Sequence, residues 1–531
     1  MVVTTGIIVV AIVWLGNKIY RWIYEGYDLF ENLGIKFIKP APILGSNWRL
    51  FFRKTTLRET ILNAYNAYPD ASIVGLFDMK QPIFMIRDPE IVKQITVKDF
   101  DHFGDHRSVL DEKKEPLFGN SLVNLKGQKW REMRATLSPI FTGSKMRQMF
   151  ELVSEIGAQI AEYFKNVTDE ERHLEFKEMF SRFTNDVIAT AAFGIEVDSL
   201  KNKQNEFFVS AKTLMDFSSF WTILRFMFLF MFPKVAKFLG IRLVPEWKTK
   251  FFQSIVTETM DYREKEGIVR PDLIHLMLQL KKGMLKLNNN ETKDSNDSFA
   301  AVEESELGRV VVRRQWSDNE LMAQCFIFFL AGFDTSSTAM SFLAYELAIN
   351  KDIQEKLIAE IDQVNEDLNG KRLTYDALQK MKYLDMVLTE SLRMWAPAEL
   401  TDRLCLKDYK LKNDQGVEFT MKKDHVAWIP IGGFHYDAKY WKNPEKFDPE
   451  RFSDEHKSNV NQGAYMPFGV GPRNCIGSRF ALMEIKCAFY YLLLNFTIET
   501  TEKTQIPLQL EKGFAQRPEK GIWLKLEKRN K

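Results

Sequence analysis

The chain has 531 residues, of which 45% are hydrophobic and 27% charged, and its 73 Lys and Arg nearly balance its 71 Asp and Glu. This balance excludes a protein that binds polyanions through bulk charge, and it excludes a disordered acidic or basic tail. Four cysteines in this length exclude a disulfide-built scaffold. The 42 phenylalanines indicate apolar surface beyond that of an ordinary core.

The apolar run that opens the chain has no charged side chain before Lys18, and Arg21, Lys36 and Lys39 follow it. A cleaved signal peptide carries its positive charge ahead of the apolar run and has small residues at its cleavage site, and neither feature occurs here. We therefore interpret residues 1–30 as an uncleaved transmembrane signal anchor with a basic flank, which keeps the following chain cytosolic. A signal peptide and a buried helix are the alternatives.

Residues 31–45 form a linker stiffened by two prolines. Beyond it, apolar residues recur mostly at helical spacing, which predicts a mainly α fold with a minor β part and one large domain over residues 31–531. Polar residues within 283–316 predict a mobile surface connection. Residues 217–240 contain the run FMFLFMF, which is too short to span a bilayer. It either packs in the core or dips into the membrane surface, and the anchor favours the second interpretation.

The strongest chemical signal is the run FGVGPRNCIG from Phe468 to Gly477, which is followed by a helical pattern. Cys475 therefore lies in a glycine-rich loop at a helix N-terminus. The helix dipole, free backbone N–H groups and the nearby charge of Arg473 all stabilise a thiolate there. From these residues alone, a reactive, a metal-binding and an inert buried cysteine all remain open.

A capping box at Ser317 begins a long apolar helix that contains the run AGFDTS, starting at Ala331. Gly332 costs about 1 kcal/mol relative to alanine within a helix. That cost is understandable where a ligand approaches the backbone. In the alternative interpretation, Asp334 and Thr335 only relieve a helix end.

Two further pairs lie at helical spacing. Glu390 and Arg393 are three residues apart and share a helix face, although alone they would be interpreted as an ordinary solvated ion pair. Trp130 and Arg134 are four residues apart and also share a face.

A different pair, His102 and His106, has the spacing of metal ligands. Gly104 disfavours the helix that this spacing requires, and the sequence offers no evident third ligand. Surface histidines, or a contact of His106 or Arg107 with a cofactor, are the better interpretation.

Taken together, these motifs resemble those of the cytochrome P450 family, the haem-thiolate monooxygenases. The resemblance covers nearly the whole chain, and the segment FDHFGDHR that begins at Phe100 is similar to insect members of the xenobiotic-metabolising clan. The cysteine loop agrees at every defining position of the family, which are Phe468, Gly469, Gly471, Arg473, Cys475 and Gly477.

The resemblance implies the P450 fold, haem b as the cofactor, and roles for individual residues. Asp334 and Thr335 would be the catalytic pair that delivers protons to oxygen. The cofactor-binding residues would be Cys475, as the iron ligand, with Trp130, Arg134, Arg403, Arg473, Phe468, Ala331 and Gly332. The residues that hold the haem-binding core without catalysis would be Glu390, Arg393 and Arg451.

The same resemblance implies partners and a location. Electrons would come from NADPH–cytochrome P450 reductase, with cytochrome b5 as a second candidate donor. The substrate would be a small lipophilic molecule, xenobiotic or endogenous, and no nucleic acid is implied. The location would be the endoplasmic reticulum membrane, with a basic docking face at Lys126, Lys129 and Arg131. A solvated charge cluster is the alternative interpretation of these three residues.

Two other functions are compatible with a haem-thiolate protein. A haem-thiolate isomerase or dehydratase rearranges peroxides without a reductase, but such relatives tend to lose the acid–alcohol pair that is present here. A non-catalytic haem protein that binds hydrophobic ligands is the other alternative. Glu399 lies in a segment that faces substrate in the family. It would either select a cationic group or pair with Arg403 or Lys407.

Overall fold

The computed structural model describes residues 2–108, 110, 112–214, 220–270, 272–282, 298–302 and 314–530. Part of the predicted membrane-dipping segment, residues 217–219, lies outside these ranges. Most of the predicted connection at 283–316 also lies outside them. The predictions for those residues are therefore not addressed by the structure.

Helices account for most of the described chain. In chain order they are α1 (Val2–Tyr24), α2 (Leu29–Asn32), α3 (Trp48–Phe51), α4 (Leu57–Asn66), α5 (Pro89–Lys93), α6 (Pro116–Gly119), α7 (Gly127–Leu137), α8 (Gly143–Asn166), α9 (Phe176–Ile188), α10 (Glu206–Leu214), α11 (Phe220–Met231), α12 (Pro233–Leu239), α13 (Glu246–Glu266), α14 (Leu273–Lys281), α15 (Asp318–Ile349), α16 (Lys351–Asp367), α17 (Tyr375–Gln379), α18 (Lys382–Met394), α19 (Ile431–His435) and α20 (Ser478–Asn495).

The strands are short and form small sheets. In chain order they are β1 (Ile73–Asp78), β2 (Gln81–Ile86), β3 (His173–Glu175), β4 (Thr401–Leu404), β5 (Tyr409–Lys412), β6 (Glu418–Met421), β7 (Val426–Ile429), β8 (Phe496–Thr500) and β9 (Trp523–Lys528). One sheet has the order β1-β2-β7-β4, a second has the order β3-β9-β8, and β5 pairs with β6. The predicted mainly α fold with a minor β part is therefore confirmed.

The smaller of two compact units contains residues 1–107, 399–433 and 512–514. Its core is the four-stranded sheet, in which the antiparallel hairpin β1–β2 pairs in parallel with β7. Gly75 of β1 lies directly under the ring of Phe30, where a Cβ atom would come within 2.4 Å of the ring. The close packing of α2 on this sheet therefore requires a residue without a side chain.

The larger unit contains residues 108–398, 434–511 and 515–531. Its central element is α15, which has buried residues on all its faces. Its sequence is therefore apolar around the whole helix and not amphipathic. A capping box begins this helix, because Ser317 accepts from the amide of Glu320 and Glu320 accepts from the amide of Ser317. Side chains of α8, α9, α18 and α20 belong to the same hydrophobic core.

Two described helices are long and apolar enough to cross a membrane. The segment Ile7–Tyr24 of α1 is entirely unburied, whereas 67% of α15 is buried. Burial makes α15 a core helix, so α1 is the helix that fits the predicted anchor. Apolar side chains are also exposed on α11 and α12, at Trp221, Leu224 and Phe238.

Candidate active site

The cysteine loop is closed by backbone hydrogen bonds within the larger unit. The amide of Cys475 donates to the carbonyl of Phe468 over 2.9 Å, and Gly469 donates to Met466 over 2.9 Å. Gly469 and Gly471 have φ angles of 77° and 71°, which disfavour residues with a side chain. The loop ends where α20 begins, so Cys475 lies at a helix N-terminus as the sequence predicts.

The thiol of Cys475 is exposed, although protein surrounds it. Its side chain is exposed, in contrast to the other cysteines, Cys325, Cys405 and Cys487, which are buried. Burial by the surrounding protein nevertheless raises the pKa of Cys475, while the amide of Gly477 and the charge of Arg134 oppose that rise. A thiol that is open yet has protein around it can accept a ligand.

Helix α15 presents a narrow open stripe. Ala331 and Thr335 are exposed although Leu330, Phe333 and Ser336 beside them are buried. The two open residues are four apart and therefore lie on one face. The hydroxyl of Thr335 donates to the carbonyl of Ala331 over 2.7 Å. An open face in the middle of a core helix provides space for a ligand.

Direct contacts connect α15 to the region of the cysteine loop. Glu484 of α20 is hydrogen-bonded to Ser336, and burial raises the pKa of Glu484 to about 8. The ring of Phe141 lies 5.6 Å from the ring of Phe328, between centroids, and it also borders Gly477. The open stripe and the cysteine loop are thus held by the same packed elements.

Asp334 is held by a lysine that the sequence analysis missed. Lys177 of α9 places its Nζ 3.0 Å from Asp334 Oδ1, 3.1 Å from the Asp334 carbonyl and 2.6 Å from Ser337 Oγ. Burial lowers the pKa of Lys177, and the charge of Asp334 opposes this. Thr184, also on α9, donates to the Phe333 carbonyl over 2.8 Å. Two successive carbonyls of α15 therefore accept from side chains of α9.

Gly332 lies close to the neighbouring helix α9. A Cβ atom at this position would come within 2.9 Å of Ile188 Cδ1, which is tighter than ordinary van der Waals packing, and the end of the Ile188 side chain would have to shift. The approach of a ligand to Gly332 stays a prediction.

The predicted arginines near the cysteine loop stabilise the loop itself. Arg134 donates to the Asn474 carbonyl over 2.9 Å and to its side-chain oxygen over 2.8 Å. Arg473 lies with its guanidinium 4.0 Å from the centre of the Trp130 ring and donates to the Leu125 carbonyl over 2.8 Å. All these side chains are buried. They concentrate positive charge beside the thiol.

Arg403 belongs to the smaller unit, where it lies on β4. It is fully buried, and burial lowers its pKa to about 10 while Asp402 opposes that shift. Asp402 also binds His106, whose Nδ1 lies 2.8 Å from a carboxylate oxygen.

The described residues contain no group of three His, Cys, Asp or Glu that could hold a metal ion, so they offer no zinc site at His106.

Glu399 has a different partner from those that the sequence analysis considered. Its carboxylate accepts from Arg58 Nε over 2.7 Å, and the two side chains are 2% and 11% exposed. A Cβ atom at Gly432 would come within 2.0 Å of the same carboxylate. A carboxylate with this partner and this packing is enclosed within the smaller unit.

Glu390, Arg393 and Arg451 form a buried cluster. Arg393 contacts the Glu390 carboxylate through Nε at 2.7 Å and Nη2 at 2.9 Å, and Arg451 Nε reaches it at 3.2 Å. Glu390 and Arg393 are completely buried. The remaining donors of Arg393 contact carbonyls of His435 and Pro444. This arrangement differs from a solvated helix pair and fits a structural role.

The sequence is similar to a known protein family and to several individual proteins. Over residues 37–525 the sequence matches the family described as Cytochrome P450. Cytochrome P450 9e2 of Blattella germanica is 45% identical, over 98% of this chain and 96% of that protein. Probable cytochrome P450 9f2 of Drosophila melanogaster is 42% identical, over 96% and 97%. Cytochrome P450 6k1 of Blattella germanica is 34% identical, over 92% and 91%.

The buried cluster leads to a stability prediction. Replacing Glu390→Gln leaves Arg393 buried without its counter-charge, which should lower the free energy of unfolding by about 3–5 kcal/mol. Chemical denaturation followed by circular dichroism measures this change. The control is Asp454→Asn, which removes an exposed partner of Lys382 and should leave the midpoint close to that of the original protein. Equal midpoints for the two variants would contradict the assignment.

Proposed function

Because the chain belongs to the cytochrome P450 family, whose members are haem monooxygenases, we propose that it inserts one oxygen atom from O2 into a small lipophilic substrate. The electrons come from NADPH through a flavoprotein reductase. The observation that carries this proposal is the open thiol of Cys475 at the N-terminus of α20. Asp334 and Thr335 on the core helix α15 favour oxygen activation over peroxide isomerisation.

The residues present fit haem b. Cys475 offers one open thiol with the Gly477 amide and the Arg134 charge beside it, which suits a thiolate bound to a metal. The buried Arg134 and Arg473 supply positive charge at the cysteine loop, of the kind that pairs with haem propionates. Phe468 and Ala331 would contact the macrocycle. When bound, the haem supplies the iron chemistry that activates O2.

The protein's own residues would control protons. The Thr335 hydroxyl donates to the Ala331 carbonyl, which leaves its oxygen able to accept a hydrogen bond on the open side of α15. The Asp334 side chain is 30% exposed, so it can exchange protons with water. Lys177 holds that carboxylate in place. Thr335 would therefore hold a proton-bearing water at the open stripe by accepting its hydrogen bond, and Asp334 would resupply the proton that this water gives up.

The proposed substrate class follows from the surroundings of the stripe. Phe328, one turn before Ala331, is half-buried, and Leu330 and Phe333 beside the stripe are also apolar. Glu399, which the sequence analysis considered as a selector of cations, is instead paired with Arg58. An apolar molecule, xenobiotic or endogenous, suits such a site.

The proposed location is the cytosolic face of the endoplasmic reticulum membrane, with α1 as the anchor. Exposed Trp221 and Phe238 would add contact with the membrane surface. Of the proposed docking residues for the reductase, Lys129 already contacts Glu112 and Glu320, both at 2.9 Å. The reductase, or cytochrome b5, would dock on the face that carries Lys126, Lys129 and Arg131, of which Lys126 is exposed.

The first prediction concerns the iron ligand. The reduced protein with carbon monoxide should show the red-shifted Soret band of thiolate-ligated haem, and Cys475→Ala should lose it because the thiolate is gone. Absorption difference spectra measure the band. Cys487→Ala, which removes a buried thiol on α20, is the matched control and should keep it. A histidine-type spectrum in the unchanged protein would refute the proposal.

The second prediction concerns proton delivery. Thr335→Val removes the hydroxyl at constant volume, and product formation should fall by on the order of 10²-fold, the lower end of what a positioned proton donor contributes. NADPH should still be consumed, with release of hydrogen peroxide. Thr335→Ser keeps a hydroxyl and should stay near the unchanged protein. If the Val variant makes as much product per NADPH, Thr335 has no such role.

The third prediction concerns topology. The sequons at Asn166, Asn290, Asn296 and Asn495 should carry no glycan, because the anchor would keep them cytosolic. Mobility on gels before and after glycosidase treatment measures this in membranes from insect cells. Reversing the charges of Lys18, Arg21, Lys36 and Lys39 should invert part of the population and produce glycan, for example on the exposed Asn166. Glycan on the unchanged chain would reverse the proposed orientation.

A further inference from the structure

His435, at the end of α19, is fully buried and uses both ring nitrogens. Nδ1 lies 2.9 Å from the carbonyl of Arg393, and because a carbonyl only accepts, Nδ1 must carry the proton. Nε2 lies 3.0 Å from the amide of Met466, which donates to it. The two partners therefore require the neutral tautomer with its proton on Nδ1.

The contact with Arg393 is reciprocal. The backbone carbonyl of His435 accepts from Arg393 Nη1 over 2.7 Å, while the ring donates to the Arg393 carbonyl. The ring of Tyr465 stacks on the imidazole with a centroid distance of 5.5 Å, and its hydroxyl donates to the Thr389 carbonyl over 3.0 Å. His435 is thus held in place by its contacts with Arg393 and Tyr465, next to the buried Glu390–Arg393 pair.

The other side of His435 reaches the cysteine loop. Met466 donates to the ring, and the carbonyl of the same residue accepts from the amide of Gly469. The next contact joins Phe468 to Cys475 through the backbone. A series of hydrogen bonds, joined by short stretches of backbone, therefore runs from Arg393 through His435 to the loop that carries the thiol.

We propose that His435 is a positioning residue. Its hydrogen bonds tie the Cys475 loop to the Arg393 cluster and so keep the thiol in place as a ligand. The inference rests on the proposed function, because it assumes that Cys475 binds haem iron. A side chain that only filled space would need a ring of this size. It would not need a donor at Nδ1 and an acceptor at Nε2. Loss of the acceptor would leave the buried Met466 amide unsatisfied at the start of the loop.

Two substitutions separate the two nitrogens. The amide of His435→Asn reaches the position of Nδ1 and can still donate to Arg393, but it leaves Met466 without an acceptor. The longer His435→Gln can place its oxygen near Nε2 and accept from Met466. Tyr465→Phe is the matched control, because it removes one buried hydrogen bond beside the imidazole and leaves the Met466 amide bonded.

The full-length holoprotein is held at a temperature well below the unfolding midpoint of every variant. The fraction of reduced, carbon-monoxide-bound protein with the thiolate Soret band is followed over time. We expect the Asn variant to lose that band roughly tenfold faster than the unchanged protein, since a lost buried hydrogen bond has an effect of this size. The Gln variant should largely restore the rate, and Tyr465→Phe should leave it unchanged.

Equal rates for the Asn variant and the unchanged protein would overturn the inference, and so would equal acceleration in Tyr465→Phe. Hydrogen–deuterium exchange of the Met466 amide provides a second measurement for variants that take up no haem. Exchange should be fast in the Asn variant and slow in the Gln variant, and equal protection in both would also overturn the inference. A missing thiolate band in the unchanged protein would instead refute the proposed function.

Discussion

The buried ion pair between Glu390 and Arg393 is the interaction on which the larger unit depends. Removing two charges from water costs several kcal/mol for each ion, so such a pair persists only when its remaining hydrogen-bonding groups are satisfied. Arg393 meets this requirement by contacting carbonyls of His435 and Pro444, and Glu390 by accepting from Arg451. Because each hydrogen-bonding group of this pair needs a partner, the pair fixes several chain segments at once. The cysteine loop is fixed indirectly, through His435.

Close packing is the rule in the interior, so the places where it stops are the candidate sites for a ligand. The core helix α15 is buried on most of its surface, yet Ala331 and Thr335 remain open, and so does Cys475. Helix α9 packs against this part of α15, where Lys177 binds the carbonyl of Asp334 and Thr184 binds that of Phe333.

Local patterns made much of this predictable. The Cys475 loop is a continuous run, the helical spacings act over one turn, and relatives among insect cytochromes P450 confirm the family that these runs resemble. Contacts between distant segments were not predictable. Lys177 is 157 residues from Asp334, and Arg58 is 341 residues from Glu399. Nothing in the sequence around an isolated lysine or arginine indicates which distant carboxylate it will meet, because tertiary packing decides that.

The smaller unit is assembled from three separated stretches, and this has a consequence during synthesis. Its strand β2 is made early, but its parallel partner β7 comes after residues 108–398. At about 5–20 residues per second, the ribosome needs about 15–60 s to make that interval. During this time β2 has an unpaired edge, which is a template for wrong pairing. The exposed edge of β2 is therefore a feature of the nascent chain alone, because pairing with β7 covers it in the finished protein.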